Sequence, residues 1–253
     1  ASGLESIAMA VGKINAGFGE IYIAGGTESM SLLPMTGYKL SPSYQANQDN
    51  INYHVSMGVT AEAVAGKYNI SREAADSFSV ASHKKAAQAI DSGVFAEEIV
   101  PVTVEEVFVE NGQRKVTSHT VTQDEGVRRD TSIEGLARLR PAFKQGGVVT
   151  AGNASQTSDG AAFTLVISEA KMKALGLEPV ARLASCAVGG VDPLYMGIGP
   201  CVAIPKALKQ AGLNLADIEH TELNEAFAAR AIAGIQEAGI HPSTVKGEGG
   251  GIP

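Results

Sequence analysis

Residues 2–26 read SGLESIAMAVGKINAGFGEIYIAGG, and three structural signals follow one another within them. Ser2 and Glu5 stand three apart, the spacing at which two side chains cap backbone N–H groups at a helix start. Leu4, Ile7, Ala8, Val11 and Ile14 then recur at helical spacing on one apolar face, which predicts a helix over 2–16. Residues 20–24 (EIYIA) change to the composition of a short strand, closed by Gly25-Gly26. Helix, strand and glycine turn in that order predict an α/β fold.

Beyond residue 30 the pattern changes. Residues 31–55 are polar and turn-rich, and 60–69 and 71–92 read as helices, the second carrying Phe78, Ala81 and Ile90 and ending at Gly93. Two β runs follow, 99–104 (IVPVTV) and 106–116 (EVFVENGQRKV), the latter folded at Asn111-Gly112, where both residues tolerate positive φ. Residues 31–150 therefore read as an insertion. From Thr150 the α/β pattern resumes with a Gly/Ser/Asn loop over 151–160 and strands at 163–168 (FTLVIS) and 181–188 (ARLASCAV). A helix near 201–211 places Pro205 where a first turn would accept it. Residues 221–227 (TELNEAF) lead into a helix with Phe227, Ala231, Ile232 and Ile235 on one face, ended by Gly239.

Composition narrows the function. With 253 residues, 44% hydrophobic and 19% charged, the chain is long enough for a sizeable core, too apolar for disorder and too interrupted by charge to span a membrane. Twenty Lys and Arg against 27 Asp and Glu give −7 without a basic block, which argues against a nucleic-acid partner and leaves room for a phosphorylated small molecule. The 29 glycines are not periodic and mark tight turns and close backbone approaches to a ligand. Cys186 and Cys201 lack CxxC spacing and the five His form no HExxH pair, so neither a disulfide framework nor a metal site is expected. A cytoplasmic location is the default, or an organellar matrix in a eukaryote. Both cysteines are expected to be small buried hydrophobes, Cys201 with a modestly lowered pKa at a helix start. The residues do not open with Met or a targeting segment and close on KGEGGGIP (246–253), so both ends read as cut.

Six segments in register resemble the thiolase family, the acyl-CoA acyltransferases that make or cleave 3-ketoacyl-CoA. They are ASGLESIAMA (1–10) with GGTESMS (25–31), MGVTAEAVA (57–65), LRPAF (139–143), TAGNASQTSDGAA (150–162), GVDPLYMGIGP (190–200) and LNEAFAA (223–229). Together they are far more specific than any one glycine-rich match. The resemblance implies a thiolase-like layered α/β fold of two doubly wound halves, incomplete here. Residues 1–30 and 151–168 would belong to the N-terminal half, 31–150 to an inserted CoA-binding loop domain and 169–253 to the C-terminal half. The implied reaction converts 3-ketoacyl-CoA and CoA to acyl-CoA and acetyl-CoA, or runs in reverse, within fatty acid metabolism. Coenzyme A and acyl-CoA thioesters would be substrates, with no cofactor or metal, in a homo-oligomer. A ketosynthase-type condensing enzyme is disfavoured by the GNASQTSDGAA and NEAF segments.

The same register carries residue roles. The family's nucleophilic Cys precedes the residues matching Ala1-Ser2-Gly3-Leu4, at a helix start that would lower its pKa. Its activating His and second acid/base Cys follow a glycine-rich stretch like 249–253; none of the three falls within this sequence, so the chain alone is expected to be inactive. Asn224 matches the Asn that holds a water in an oxyanion hole, where an amide donates without titrating; the alternative is a helix cap. Ser155 matches a pantetheine contact, and Ala151, Gly152 and Ala154 let backbone approach that thin arm. Arg128 matches a cation near the adenine-phosphate end, with Arg129 able to serve instead. Met57, Phe143, Met196 and Phe227 match apolar walls of the acyl and pantetheine path. His241-Pro242 reads as an exposed turn. A binding module that holds CoA or dimerises without chemistry is the competing reading.

Overall fold

The computed structural model describes residues 2–245 and 252. Its helices, in chain order, are α1 (Ser2–Asn15), α2 (Tyr44–Asp49), α3 (Met57–Lys67), α4 (Arg72–Asp91), α5 (Ile133–Ala137), α6 (Glu169–Ala174), α7 (Gly199–Ala211) and α8 (Ala228–Ala238). The strands are β1 (Ile21–Glu28), β2 (Val102–Glu110), β3 (Gln113–Val121) and β4 (Gly160–Ile167). Two units divide the chain: 1–54, 157–190 and 202–214 form one, and 55–156, 191–201 and 215–253 the other.

In the first unit β1 and β4 pair antiparallel, from Ile21 opposite Ile167 to Glu28 opposite Gly160. The strand runs through Gly25-Gly26, where the sequence suggested an end. Gly25 fits because a Cβ there would stand 2.1 Å from the Ala162 carbonyl oxygen. Side chains alternate across the ladder: Tyr22 and Ala24 share one face, with Lys13 of α1 5.8 Å from the Tyr22 ring and Ala24 buried. The opposite face leaves Ile23 76%, Phe163 63% and Leu165 53% exposed. Ser2 opens α1 as a helical residue and so is not the cap that the sequence suggested.

Residues 181–188 form no strand, against expectation. An extended run becomes a strand only beside a partner for its N–H and C=O groups, and Ser185 Oγ instead donates to the Ala207 carbonyl at 2.9 Å. This leaves Cys186 exposed, correcting the buried reading. Pro205 lies in the interior of α7, not its first turn, because the helix starts at Gly199 directly after a 3₁₀ segment at Pro193–Ile198. The proline removes one helical hydrogen bond there.

In the second unit α8 is capped by extended Phe227 and ends at left-handed Gly239 (φ 68°). Its small residues Ala228, Ala229, Ala231, Ala233 and Gly234 are buried and let α3 and α4 approach closely. The core combines Val64, Ala65, Ile70, Ala229 and Ala233 with a second cluster of Ala61, Val149 and Phe227. Ser71 caps α4 by accepting from Ala74 N at 3.1 Å, and Ser132 caps α5 by accepting from Gly135 N at 3.1 Å.

The hairpin turns at Asn111 (φ 53°) and Gly112 (φ 75°), as read from the sequence. The suggested break between 104 and 106 is absent: β2 runs across Glu105 in register with Ser118. All of β2 is exposed, so acidic side chains cost nothing on either face.

Candidate functional site

Residues 150–155 and 224–228, far apart in sequence, are laced together by backbone. Ser155 N donates to the Ala226 carbonyl at 3.0 Å, Ala154 bridges Phe227, and Ala228 N donates to the Asn153 carbonyl at 2.9 Å. Asn153 is 1% exposed and holds the loop from inside. Its Oδ1 accepts from Thr150 N at 2.8 Å, while Nδ2 donates to Asp76 Oδ1 at 2.9 Å and to the Val148 carbonyl at 3.0 Å. Arg72 Nε donates to the other Asp76 oxygen at 2.8 Å, and its Nη groups donate to the carbonyls of Leu136 and Leu139. One relay therefore fixes the starts of both the LRPAF and GNAS segments on α4.

Glu62 of α3 performs a parallel task, accepting from Val148 N at 3.0 Å and Val149 N at 2.8 Å. A Cβ on Gly147 would lie 2.3 Å from its Oε1, which explains glycine there. Buried Glu225 accepts from Ser82 Oγ at 2.7 Å, and Ser82 Oγ in turn accepts from Ile252 N at 3.3 Å. Sequence reading missed Glu62, Asp76, Ser82, Asn153 and Glu225. The available signal was polar residues set among small apolar ones, as in the AEAVA and EAADS runs of α3 and α4.

The expected wall residues partly converge. Phe143 meets Phe227 edge-on, with ring centroids 6.1 Å apart at 82°, and lies over Gly58, where a Cβ would stand 2.4 Å from its ring. Met57 and Ala226 pack against the Phe227 cluster. Met196 sits in the 3₁₀ segment, 40% exposed, beside Gly197, where a Cβ would stand 2.6 Å from Arg230 Nε. Arg230 lies 5.9 Å from the Phe227 ring, and burial lowers its pKa.

Asn224 is exposed outside any helix or strand, three residues before the Phe227 cap, so it does not cap α8. Its amide has no hydrogen bond among the described residues. Ser155 is half-buried, its hydroxyl donating to the Gln156 carbonyl at 3.2 Å. Arg128 lies between β3 and α5 and is tied to α4, not to this loop cluster: its N–H donates to His83 Nδ1 at 3.1 Å. Arg129 is bound to Asp91 by two contacts of 2.8 Å.

Burial lowers the His83 pKa, aided by the Arg128 charge and opposed by Asp130. Cys201 is half-buried, with Sγ 3.8 Å from the Gly234 carbonyl. Burial and then the Glu237 charge push its thiol up, reversing the expected lowering. His241 is the exposed turn residue expected, its Nδ1 2.6 Å from Ser243 Oγ. Among the described residues no cluster of three His, Cys, Asp or Glu side chains is placed to hold a metal, and no helix is long and apolar enough to cross a membrane.

The chain belongs to the thiolase family: residues 1–170 match the thiolase N-terminal domain and 177–253 the C-terminal domain. It is 50% identical over 252 residues to the 3-ketoacyl-CoA thiolase of Bacillus subtilis (strain 168), covering 99% of this chain and 64% of that protein. It is 47% identical over 265 residues to a probable acetyl-CoA acyltransferase of Staphylococcus aureus (strain bovine RF122 / ET3-1), covering 99% and 65%. The chain thus spans just under two thirds of the curated relatives' length. Among solved structures, human mitochondrial 3-ketoacyl-CoA thiolase matches with TM-score 0.85 and 36% identity over 99% of this chain and 65% of its own. Acetyl-CoA acetyltransferase from Syntrophomonas wolfei matches with TM-score 0.82 and 38% identity, over 100% and 66%. The fold is the α/β thiolase-like one that the motifs implied.

Proposed function

We propose that these residues form the acyl-CoA site of a thiolase-type acyltransferase, which exchanges 3-ketoacyl-CoA and CoA for acyl-CoA and acetyl-CoA or condenses them in reverse. The interlock of residues 153–155 with 226–228 carries this reading, because it sets small backbone groups beside the Phe143, Met57 and Phe227 surface. A thin pantetheine arm suits such a path. Asn224, exposed and without an internal partner among the described residues, would hold the water that stabilises a thioester oxygen as it becomes anionic. Ser155 would contact the pantetheine, Met196 and Phe227 the acyl end, and Arg128 the nucleotide phosphates, with residues 31–150 acting as the CoA-binding loop domain. The setting this reading implies is fatty acid metabolism in the cytoplasm, in either direction, by a homo-oligomer.

A second reading, CoA binding without turnover by these 253 residues, is favoured by one observation: neither thiol is a poised nucleophile, since Cys186 is merely exposed and the pKa of Cys201 is raised. Calorimetry with CoA, dephospho-CoA and pantetheine tests the shared site. Arg128→Ala should weaken CoA by roughly ten- to hundredfold if the contact is desolvated, and less if it is hydrated, while sparing pantetheine. Ser155→Ala should weaken all three alike. Equal losses for all three ligands in Arg128→Ala would reject its phosphate role.

A further inference from the structure

Arg128 has a backbone held at both ends and a side chain left free. Its N–H donates to His83 Nδ1 at 3.1 Å, and its carbonyl accepts from Thr131 N at 3.3 Å. Its guanidinium is exposed and makes no ion pair among the described residues. His83 is 6% exposed, a buried imidazole whose ring nitrogen faces a backbone donor. A backbone N–H can only donate, so Nδ1 must be unprotonated and the ring's proton sits on Nε2. About two helical turns further along α4, Asp91 takes the adjacent guanidinium of Arg129 in a two-point ion pair. The pair is half-exposed on both sides and adds little stability. What it changes is direction: of two neighbouring cations, one is drawn back onto the helix and the other is left to solvent.

We propose that His83 and Asp91 form a positioning clamp on α4 that presents Arg128, and not Arg129, to the phosphates of a nucleotide-bearing ligand. This rests on the reading of Arg128 as the phosphate-end residue. His83 is a positioning residue, because it acts through the Arg128 backbone and does not touch the ligand. The clamp selects for ligands that carry the nucleotide and is silent toward the pantetheine arm alone.

The test combines calorimetry on CoA and pantetheine with hydrogen exchange at the Arg128 amide, using the whole chain. His83→Leu should lower CoA affinity by roughly three- to tenfold, the range of one lost hydrogen bond, leave pantetheine within about twofold and speed Arg128 amide exchange. His83→Asn should restore both properties, because its Oδ1 offers an acceptor near the position of Nδ1. In an Arg128→Ala background, His83→Leu should cost CoA nothing further, since without the guanidinium the backbone tether has nothing left to position. A His83→Leu loss that is equal for CoA and pantetheine, or that adds in full to Arg128→Ala, overturns the clamp. An Arg128→Ala variant that binds CoA unchanged, or a parent chain that binds no CoA, instead refutes the reading of Arg128 on which the clamp rests.

Discussion

Replacing Asn153 by Asp changes one heavy atom and tests whether the GNAS loop is held by donors or merely by shape. Asn153 Oδ1 accepts from Thr150 N, and an Asp oxygen can do the same. The other oxygen would take the place of Nδ2, which now donates to Asp76 Oδ1 at 2.9 Å, and would bring two carboxylates together in a site 1% to 2% exposed. If both stay ionised, repulsion at an effective dielectric of 20 is about 6 kcal/mol at that separation. If the pair takes up one proton, holding a carboxyl of ordinary pKa near 4 protonated at pH 7 costs about 4 kcal/mol.

The smaller cost wins, so the pair should share a proton that restores a donor between the two oxygens. In the folded state this pKa is raised, so the stability it supports is present at low pH and lost as pH rises. Relative to the unchanged chain, Asn153→Asp should cost about 4 kcal/mol at pH 7 and about 1.4 kcal/mol at pH 5. Asn153→Ala strips three buried groups of partners, at about 1–3 kcal/mol each before relaxation, with no such pH dependence. Urea unfolding followed by circular dichroism at both pH values reads the difference. Equal costs for Asn153→Asp at pH 5 and pH 7 would refute the donor argument.

Other outcomes follow from separate observations. Gly58→Ala places a methyl 2.4 Å from the Phe143 ring and should cost about 1–3 kcal/mol in unfolding experiments while displacing the Phe143–Phe227 edge contact. The lowered pKa of His83, set by burial and Arg128 against the opposing Asp130, means its neutral form is favoured by folding; stability from this group should be complete above about pH 6.5 and fall on acidification below it, a dependence that His83→Asn abolishes in the same assay. The purified 253-residue chain should give no thiolytic carbon–carbon cleavage of acetoacetyl-CoA by CoA, and alkylation should label Cys186 before Cys201; turnover abolished by Cys201→Ser would refute this.

How far the sequence reached depended on whether a signal was local. The Asn111-Gly112 turn, the Gly239 stop of α8 and the span of α4 were legible because turn conformations and helical periodicity are written within a few residues, whereas α3, expected over 60–69, starts three residues earlier at Met57. Residues 181–188 misled because β-rich composition says nothing about whether a partner strand lies alongside. Cys201 misled for a related reason: a helix start suggests a lowered pKa, yet the burial and Glu237 charge that raise it come from other parts of the chain. Met57 and Phe143 pack with Phe227, and Ser155 is tied by its backbone to the neighbouring Ala226. The residues that hold them, Asn153, Asp76 and Glu62, were invisible as a group because their partners lie about 77 and 87 positions away along the chain.

Those buried carboxylates bear on the chemistry by being spoken for. A general base needs a lone pair free to face the substrate. Both oxygens of Glu62 accept backbone N–H groups, and both of Asp76 are taken by Arg72 and Asn153. Glu225 is turned inward to Ser82. These acids shape the loops and are not poised to move protons, so their removal should appear in stability before it appears in any pH profile of ligand binding. The other side chains considered are neutral: the exposed Asn224 amide, the half-buried Ser155 hydroxyl and the Phe143 ring. Under the proposed function, a surface of that kind would stabilise a developing oxyanion without competing for a proton, leaving the covalent and acid/base steps to a separate thiol and imidazole.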